Sequence, residues 1–195
     1  MRIIAGRHRG RLLAAPPGEA VRPTGERARE ALFNILAHGK FAAAGPAYAG
    51  ARVLDAFAGT GAFGLEALSR GAGEAVFIEN GRAALAALRA NIASLGETAR
   101  ARVVSGDVMA PPRALAPAAL AFLDPPYGKG LAAPALAALG AAGWLVEGAL
   151  CIVEMAAAEL IEPPAGFILV DERRYGAARL AFLRVLTAPA KRREN

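Results

Sequence analysis

The segment that most constrains this chain is residues 53–68, VLDAFAGTGAFGLEAL. A short apolar run ends in Asp55, a glycine-bearing turn follows, and a helix start lies near Ala62. An apolar run of this kind suits a strand buried on both faces, as in a parallel sheet. Gly59 and Gly61 let the backbone turn tightly and approach a ligand with no Cβ in the way. The helix start then aims unpaired N–H groups at the same place. That unit belongs at the carboxyl edge of a parallel strand, where nucleotide-like ligands bind.

The acid that leads the loop narrows the ligand. A dinucleotide site would use GxGxxG and seat a pyrophosphate, but here the loop reads DAFAGTG. A carboxylate beside the glycines repels phosphate and favours an ammonium group, such as the amino-acid part of S-adenosylmethionine. About twenty residues on, a second apolar run ends in Glu79, placed for a ribose diol. A third ends at Asp107, which can accept from an adenine amino group. Acids also cap loops and turns, and that is the competing reading of each one singly. Three in a row at successive strand ends favour a single adenosyl ligand.

Residues 123–127, LDPPY, supply a different chemistry. The exocyclic amine of a base is a poor nucleophile because its lone pair is conjugated with the ring. Acceptors that hold both N–H bonds draw the nitrogen toward tetrahedral geometry and expose that lone pair. Asp124 and the carbonyl of Pro125 can be those acceptors, Pro125 and Pro126 stiffen the turn, and Tyr127 can stack on the base. Asp-Pro-Pro is also ordinary turn chemistry. Behind the glycine segment it points to methylation of an amino group on a base.

Composition excludes several other classes. The 195 residues suffice for one domain with a short appendage, and 55% hydrophobic against 21% charged residues indicates a globular chain. The longest apolar stretch, residues 131–146, is broken by Pro134, Gly140 and Gly143 and falls short of a membrane span. The first residues, MRIIAGRHRGR, carry arginines where a signal peptide would be apolar. Cys151 is the only cysteine, which fits a reducing cytoplasm without an intramolecular disulfide, and no cluster has metal-ligand spacing. The expectation is therefore a cytoplasmic protein with no membrane association and no metal.

The net charge is +6, and its placement matters more than its size. Arg2, Arg7, Arg9, Arg11, Arg22, Arg27 and Arg29 crowd the first thirty residues, whereas the lysines are Lys40, Lys129 and Lys191 alone. A GC-rich coding sequence alone would raise the arginine content. The amino-terminal cluster, interleaved with strand-like pieces, nevertheless reads as a nucleic-acid contact surface.

The expected architecture is a doubly wound, Rossmann-like α/β sheet ending in an antiparallel hairpin, with a small basic hairpin and helix in front. Strands are expected near Val53, Val76, Val103, Leu123 and Ile152, and helices over 64–69, 82–95 and 131–139. A basic hairpin over 2–13 would turn at Gly6 or Gly10, and Thr24 would cap a helix running to about Ala37. Residues 1–40 form the extension, 41–188 the catalytic domain and 189–195 a basic tail. Cys151 and Trp144 read as core, His38 as a partner of helix-end carbonyls, and Glu154 as a structural or cleft-lining acid.

Several segments together resemble a known family. DAFAGTG with DPPY is similar to S-adenosylmethionine-dependent amino-methyltransferases in general. RIIAGRHRGRLL, RPTGERAREALFNIL, GWLVEGALCIVE and RRYGAARLAFLRV resemble the RsmD-type 16S rRNA (guanine-N2)-methyltransferase family nearly end to end. The resemblance implies methyl transfer from S-adenosylmethionine to the N2 amine of a guanine in bacterial 16S rRNA or the small ribosomal subunit, by a monomer. It implies Asp55, Phe57, Gly59, Gly61, Glu79 and Asp107 for the cofactor, and Asp124, Pro125, Pro126 and Tyr127 for the flipped base. Arg7, Arg9, Arg11, Arg22, Thr24 and Arg27 would face the RNA. Ala118 and Ala119 stand where the family often has Phe-Asp, and Asn80 where a charged residue is common. The motif chemistry leaves two alternatives open: an amino group on another base, such as adenine N6 in DNA, or an RNA-binding protein without turnover.

Overall fold

The computed structural model describes residues 1–16, 23–42 and 45–186. Helix α1 (Pro23–His38) precedes β1 (Arg52–Ala56), α2 (Ala62–Ser69), β2 (Glu74–Glu79), α3 (Arg82–Leu95), β3 (Ala101–Ser105), β4 (Ala118–Leu123), α4 (Ala132–Ala141), β5 (Leu145–Ala156), β6 (Phe167–Tyr175) and β7 (Ala178–Val185). The strands form one sheet in the order β3-β2-β1-β4-β5-β7-β6. Strands β1 to β5 pair in parallel, and β7 joins antiparallel between β5 and β6. The expected Rossmann-like sheet and terminal hairpin are both present. Strand order reverses between β1 and β4, which opens a crevice at their carboxyl ends.

Strand alternation divides the apolar residues between two cores. Val53, Phe77, Phe122, Ile152 and Phe182 face one layer, shared with α1, α2 and α3. Their neighbours Leu54, Ile78, Leu123, Val153 and Leu183 face the other, shared with α4. This period of two fixes which face each strand-end residue joins. Gly64 marks how tightly α2 lies on the sheet: a Cβ there would sit 2.4 Å from Phe77 Cε1. Cys151 is fully buried, with its thiol pushed up to about 12 by desolvation, and buried Trp144 donates Nε1–H to the Pro112 carbonyl at 2.8 Å. His38 ends α1, exposed.

The amino-terminal residues depart from a regular hairpin. Only the Arg2–Leu12 bridge is strand-like. Ile3 and Gly10 still bond across the pair, to the Arg11 and Ile3 carbonyls, but the amides nearer the turn go to α2: Ile4 and Ala5 donate to the Glu66 carboxylate at 2.7 and 3.0 Å, Arg7 to the Ser69 carbonyl, and His8 to Ser69 Oγ. Gly6 is needed for this docking as well as for its φ of +80°, since a Cβ would lie 2.0 Å from the Ser69 carbonyl oxygen. Ile3, Leu13, Leu32, Phe33 and Leu36 join the same core as the sheet, so the extension is packed into the body of the protein. Helix α1 starts at Pro23, where a proline's fixed φ suits the first helical position, so Thr24 is the second residue of the helix and not the residue before it. The tail over 189–195 lies outside the described residues.

Glu66 has no solvent exposure, and Arg70 Nε donates to it at 2.6 Å while Arg29 Nε lies 3.8 Å away. Removing this carboxylate would strand two amides and two largely buried guanidinium groups. Glu66→Ala is expected to cost about 3–5 kcal/mol in urea unfolding and to unprotect the Ile4 and Ala5 amides in hydrogen exchange. A loss below about 1 kcal/mol with protection intact would contradict this anchoring role.

Candidate active site

A cavity of about 820 Å³ opens at the β1–β4 reversal. One wall is the loop after β1, with Phe57, Gly59 and Thr60; another is the turn after β4, Asp124 to Tyr127. Met1, Gly25, Ala28, Arg29 and Leu32 close it from the amino-terminal extension and α1. Phe63 and Phe122 also line it, their rings stacked 4.4 Å apart, with Phe33 stacked on Phe63 at 5.2 Å. The structure thus brings Phe57, Gly59, Asp124, Pro125, Pro126 and Tyr127 onto one wall system.

The remaining cofactor candidates stand at the same sheet edge, outside that wall. Asp55 is buried behind the loop, where Oδ2 accepts from the Gly64 amide at 2.9 Å. Glu79 is half-buried and receives three amides: Gly59 at 2.7 Å, Asn80 at 2.9 Å and Gly81 at 2.6 Å. Gly61 is the left-handed N-cap of α2, and a Cβ there would lie 2.4 Å from Leu88 Cδ1. Asp107 is exposed beyond β3 and accepts from the Met109 amide at 2.9 Å. The two strand-end carboxylates Asp55 and Glu79 therefore shape the loop that would receive a ligand. Phe57 has a φ of 60°, a left-handed conformation that costs a non-glycine residue roughly 1–3 kcal/mol and that gathers at ligand sites.

These residues fit an adenosyl cofactor bearing a cation. The loop offers close backbone approach, acids stand at the ends of β1, β2 and just past β3, and the cavity begins at the loop itself.

Electrostatics single out Asp55. Burial pushes its carboxyl up to about 8, opposed by the Gly64 hydrogen bond and reinforced by the nearby charges of Asp124 and Glu79. Arg29, buried beside the cavity, is lowered by desolvation and partly restored by Glu66. Its Nη2 donates to the Arg2 carbonyl at 2.6 Å.

Sequence reasoning counted Arg29 only within the basic cluster and left Glu154 as either a structural or a cleft-lining acid. Glu154 lines the cavity, and its Oε1 accepts from the Tyr127 hydroxyl at 2.9 Å. The signal for it is register: Leu123 pairs with Val153, so Asp124, the first residue past β4, follows beside Glu154 on β5. The basic set divides. Arg7 is ion-paired with buried Glu97, and Arg11 donates to the Ser94 carbonyl at 2.7 Å, so both fasten the extension to α3 and its C-terminal turn. Arg9 and Arg27 are exposed. Arg22 lies outside the described residues. Among the described residues no helix is long and apolar enough to cross a membrane, and no group of three His, Cys, Asp or Glu is placed to hold a metal.

The raised Asp55 carboxyl carries a stability signature. The folded protein keeps its proton up to about pH 8, whereas the unfolded chain releases it near pH 4. Stability from this group therefore falls as pH rises through that window, by up to about 1.4 kcal/mol per unit, and levels off above it. Asp55→Asn keeps an acceptor for Gly64 and removes this component. Urea unfolding at about pH 5 and about pH 8 measures it, and identical pH slopes for both proteins would contradict the assignment.

Known proteins resemble this chain over most of its length. The family model described as conserved hypothetical protein 95 matches residues 1–184. The ribosomal RNA small subunit methyltransferase D of Escherichia coli (strain K12) is 43% identical over 155 residues, covering 79% of this chain and 74% of that protein. The solved structure of yhhF from Escherichia coli, described as a methyltransferase, superposes with a TM-score of 0.81 at 39% identity, covering 95% of this chain and 98% of that one. A methyltransferase complexed with SAH shares the fold alone, with a TM-score of 0.61 at 16% identity, covering 85% of this chain and 50% of that one. The chain belongs to the ribosomal RNA small subunit methyltransferase D family, the RsmD type that its motifs resemble.

Proposed function

We propose that this chain transfers a methyl group from S-adenosylmethionine to the N2 amine of a guanine in bacterial 16S rRNA, presented in the small ribosomal subunit or its precursor. The observation that carries the reading is the position of Asp124, Pro125, Pro126 and Tyr127. They leave β4 at the strand-order reversal, on a cavity whose other walls are the glycine loop and the arginine-bearing extension. Family membership supplies the cofactor and the class of RNA. Asp55 and Glu79 hold the loop that seats the cofactor, and Phe57 and Gly59 face it. When bound, the cofactor supplies a methyl group on a sulfonium centre.

The chain's own residues handle the amine. The Asp124 carboxylate and the Pro125 carbonyl accept its two N–H bonds, turning the nitrogen lone pair out of conjugation. The prolines fix those acceptors, and the Asp124 amide ties the turn to the Ala56 carbonyl at 3.4 Å, so β4 and β1 end in register. Tyr127 offers its ring to the base, worth roughly 1–3 kcal/mol. No strong base is needed before transfer, because the nitrogen proton becomes acidic once the nitrogen is alkylated. Arg9 and Arg27 are exposed on the extension and α1, where they can meet phosphates. Ribosomal RNA as substrate places the enzyme in the bacterial cytoplasm.

Asp124→Ala separates binding from chemistry. The variant should bind S-adenosylhomocysteine within about threefold of the parent by calorimetry, yet lose at least about 100-fold in labelled-methyl transfer to small subunits. Transfer within about threefold of the parent would remove Asp124 from the reaction.

A further inference from the structure

We infer that Glu154 is a specificity residue that selects guanine by accepting its N1–H beside the reacting amine. The inference rests on the guanine reading above and gives that reading a residue.

Glu154 on β5 and Asp124, the first residue past β4, directly follow the Leu123–Val153 pair of these neighbouring parallel strands. Such strands lie about 4.8 Å apart, and side chains at matched positions share a face. Phe122 and Ile152, two residues earlier on each strand, belong to the layer beneath α1 and α2, so both acids rise toward the same side. Both line the cavity. Across the antiparallel pair, Glu154 meets Leu180, another cavity residue, so the acid stands on an apolar floor. Its Oε1 accepts from the Tyr127 hydroxyl, which joins it to the stacking ring. Both oxygens of a carboxylate accept hydrogen bonds, so the group that holds the tyrosine hydroxyl can also take a base N–H.

Base chemistry then decides between the two amines that the motif alone allows. Guanine presents N1–H and the N2 amine side by side, all donors, to two adjacent carboxylates. Adenine presents its N6 amine beside N1, a lone pair, which a carboxylate repels. An acceptor next to Asp124 thus rewards guanine and rejects adenine, because a polar site discriminates most strongly when the wrong base leaves a group unpaired.

Single-turnover transfer to small subunits, with the product digested to nucleosides, tests this. The parent enzyme should form N2-methylguanosine. Glu154→Gln keeps an acceptor oxygen but loses the charge that strengthens its bond to N1–H, so it should lower kcat/KM about 10-fold, and Tyr127→Phe less than about fivefold. Glu154→Asp, which keeps a carboxylate, should retain more activity than E154Q. Thermal unfolding and S-adenosylhomocysteine binding should be unchanged in all three. The double variant E154Q/Y127F distinguishes recognition from mere support of the tyrosine: it should fall well below Y127F. Activity of E154Q within about threefold of the parent, or a double variant no worse than Y127F, overturns the role of Glu154 and leaves the guanine reading standing. Label in a nucleoside other than guanosine overturns both.

Discussion

The site depends on a carboxylate that never meets solvent. Glu66, in the middle of α2, collects the amides of Ile4 and Ala5 and the guanidinium groups of Arg70 and Arg29. A buried ion of this kind persists only when its partners are present, since unpaired it costs several kcal/mol. Its partners come from three pieces of chain: the amino-terminal residues, α1 and α2 itself. Arg29 then lines the cavity together with Met1, Gly25, Ala28 and Leu32. Satisfying one acid in the core therefore builds the wall that turns an open crevice into a cavity.

The opposite wall follows from the pleat. Because neighbouring strand residues alternate between two cores, an acid two positions after Val53, Phe77, Phe122 or Ile152 emerges on the α1 and α2 side. Asp55, Glu79, Asp124 and Glu154 stand at those four positions. The strand order sets their division of labour. Asp55 and Glu79 are spent on backbone amides of the glycine segment, while Asp124 and Glu154 face the cavity next to Tyr127. Gathering acids in this way raises the Asp55 carboxyl, and a cationic ligand at the loop would favour its charged form.

The parallel sheet was legible because its strands are short apolar runs bounded by acids and glycines, a pattern set locally. Asp124 to Tyr127 and the glycine loop were legible for the same reason. What escaped depends on contacts between distant segments. Nothing around Arg7 announces that Glu97, ninety residues away, will take its guanidinium, so the structural task of a residue expected on RNA was not legible. The amino-terminal hairpin is irregular because the amides of Ile4, Ala5, Arg7 and His8 take acceptors on α2, leaving only the bonds near its open end across the pair. Thr24 has the chemistry of a cap, but Pro23 sets the helix start. The sequence leaves Glu154 as either a structural or a cleft-lining acid, and carrying the strand alternation one step past Val153 selects the cleft.

The central claim is that an amine-holding turn, roofed by a basic extension, acts on one class of base in ribosomal RNA. The most direct measurement is transfer of labelled methyl from S-adenosylmethionine to small ribosomal subunits from cells lacking this gene, followed by digestion to nucleosides. The account predicts label in N2-methylguanosine alone. Label in an adenine nucleoside, or cofactor binding without any transfer to subunits or to naked RNA, would contradict it.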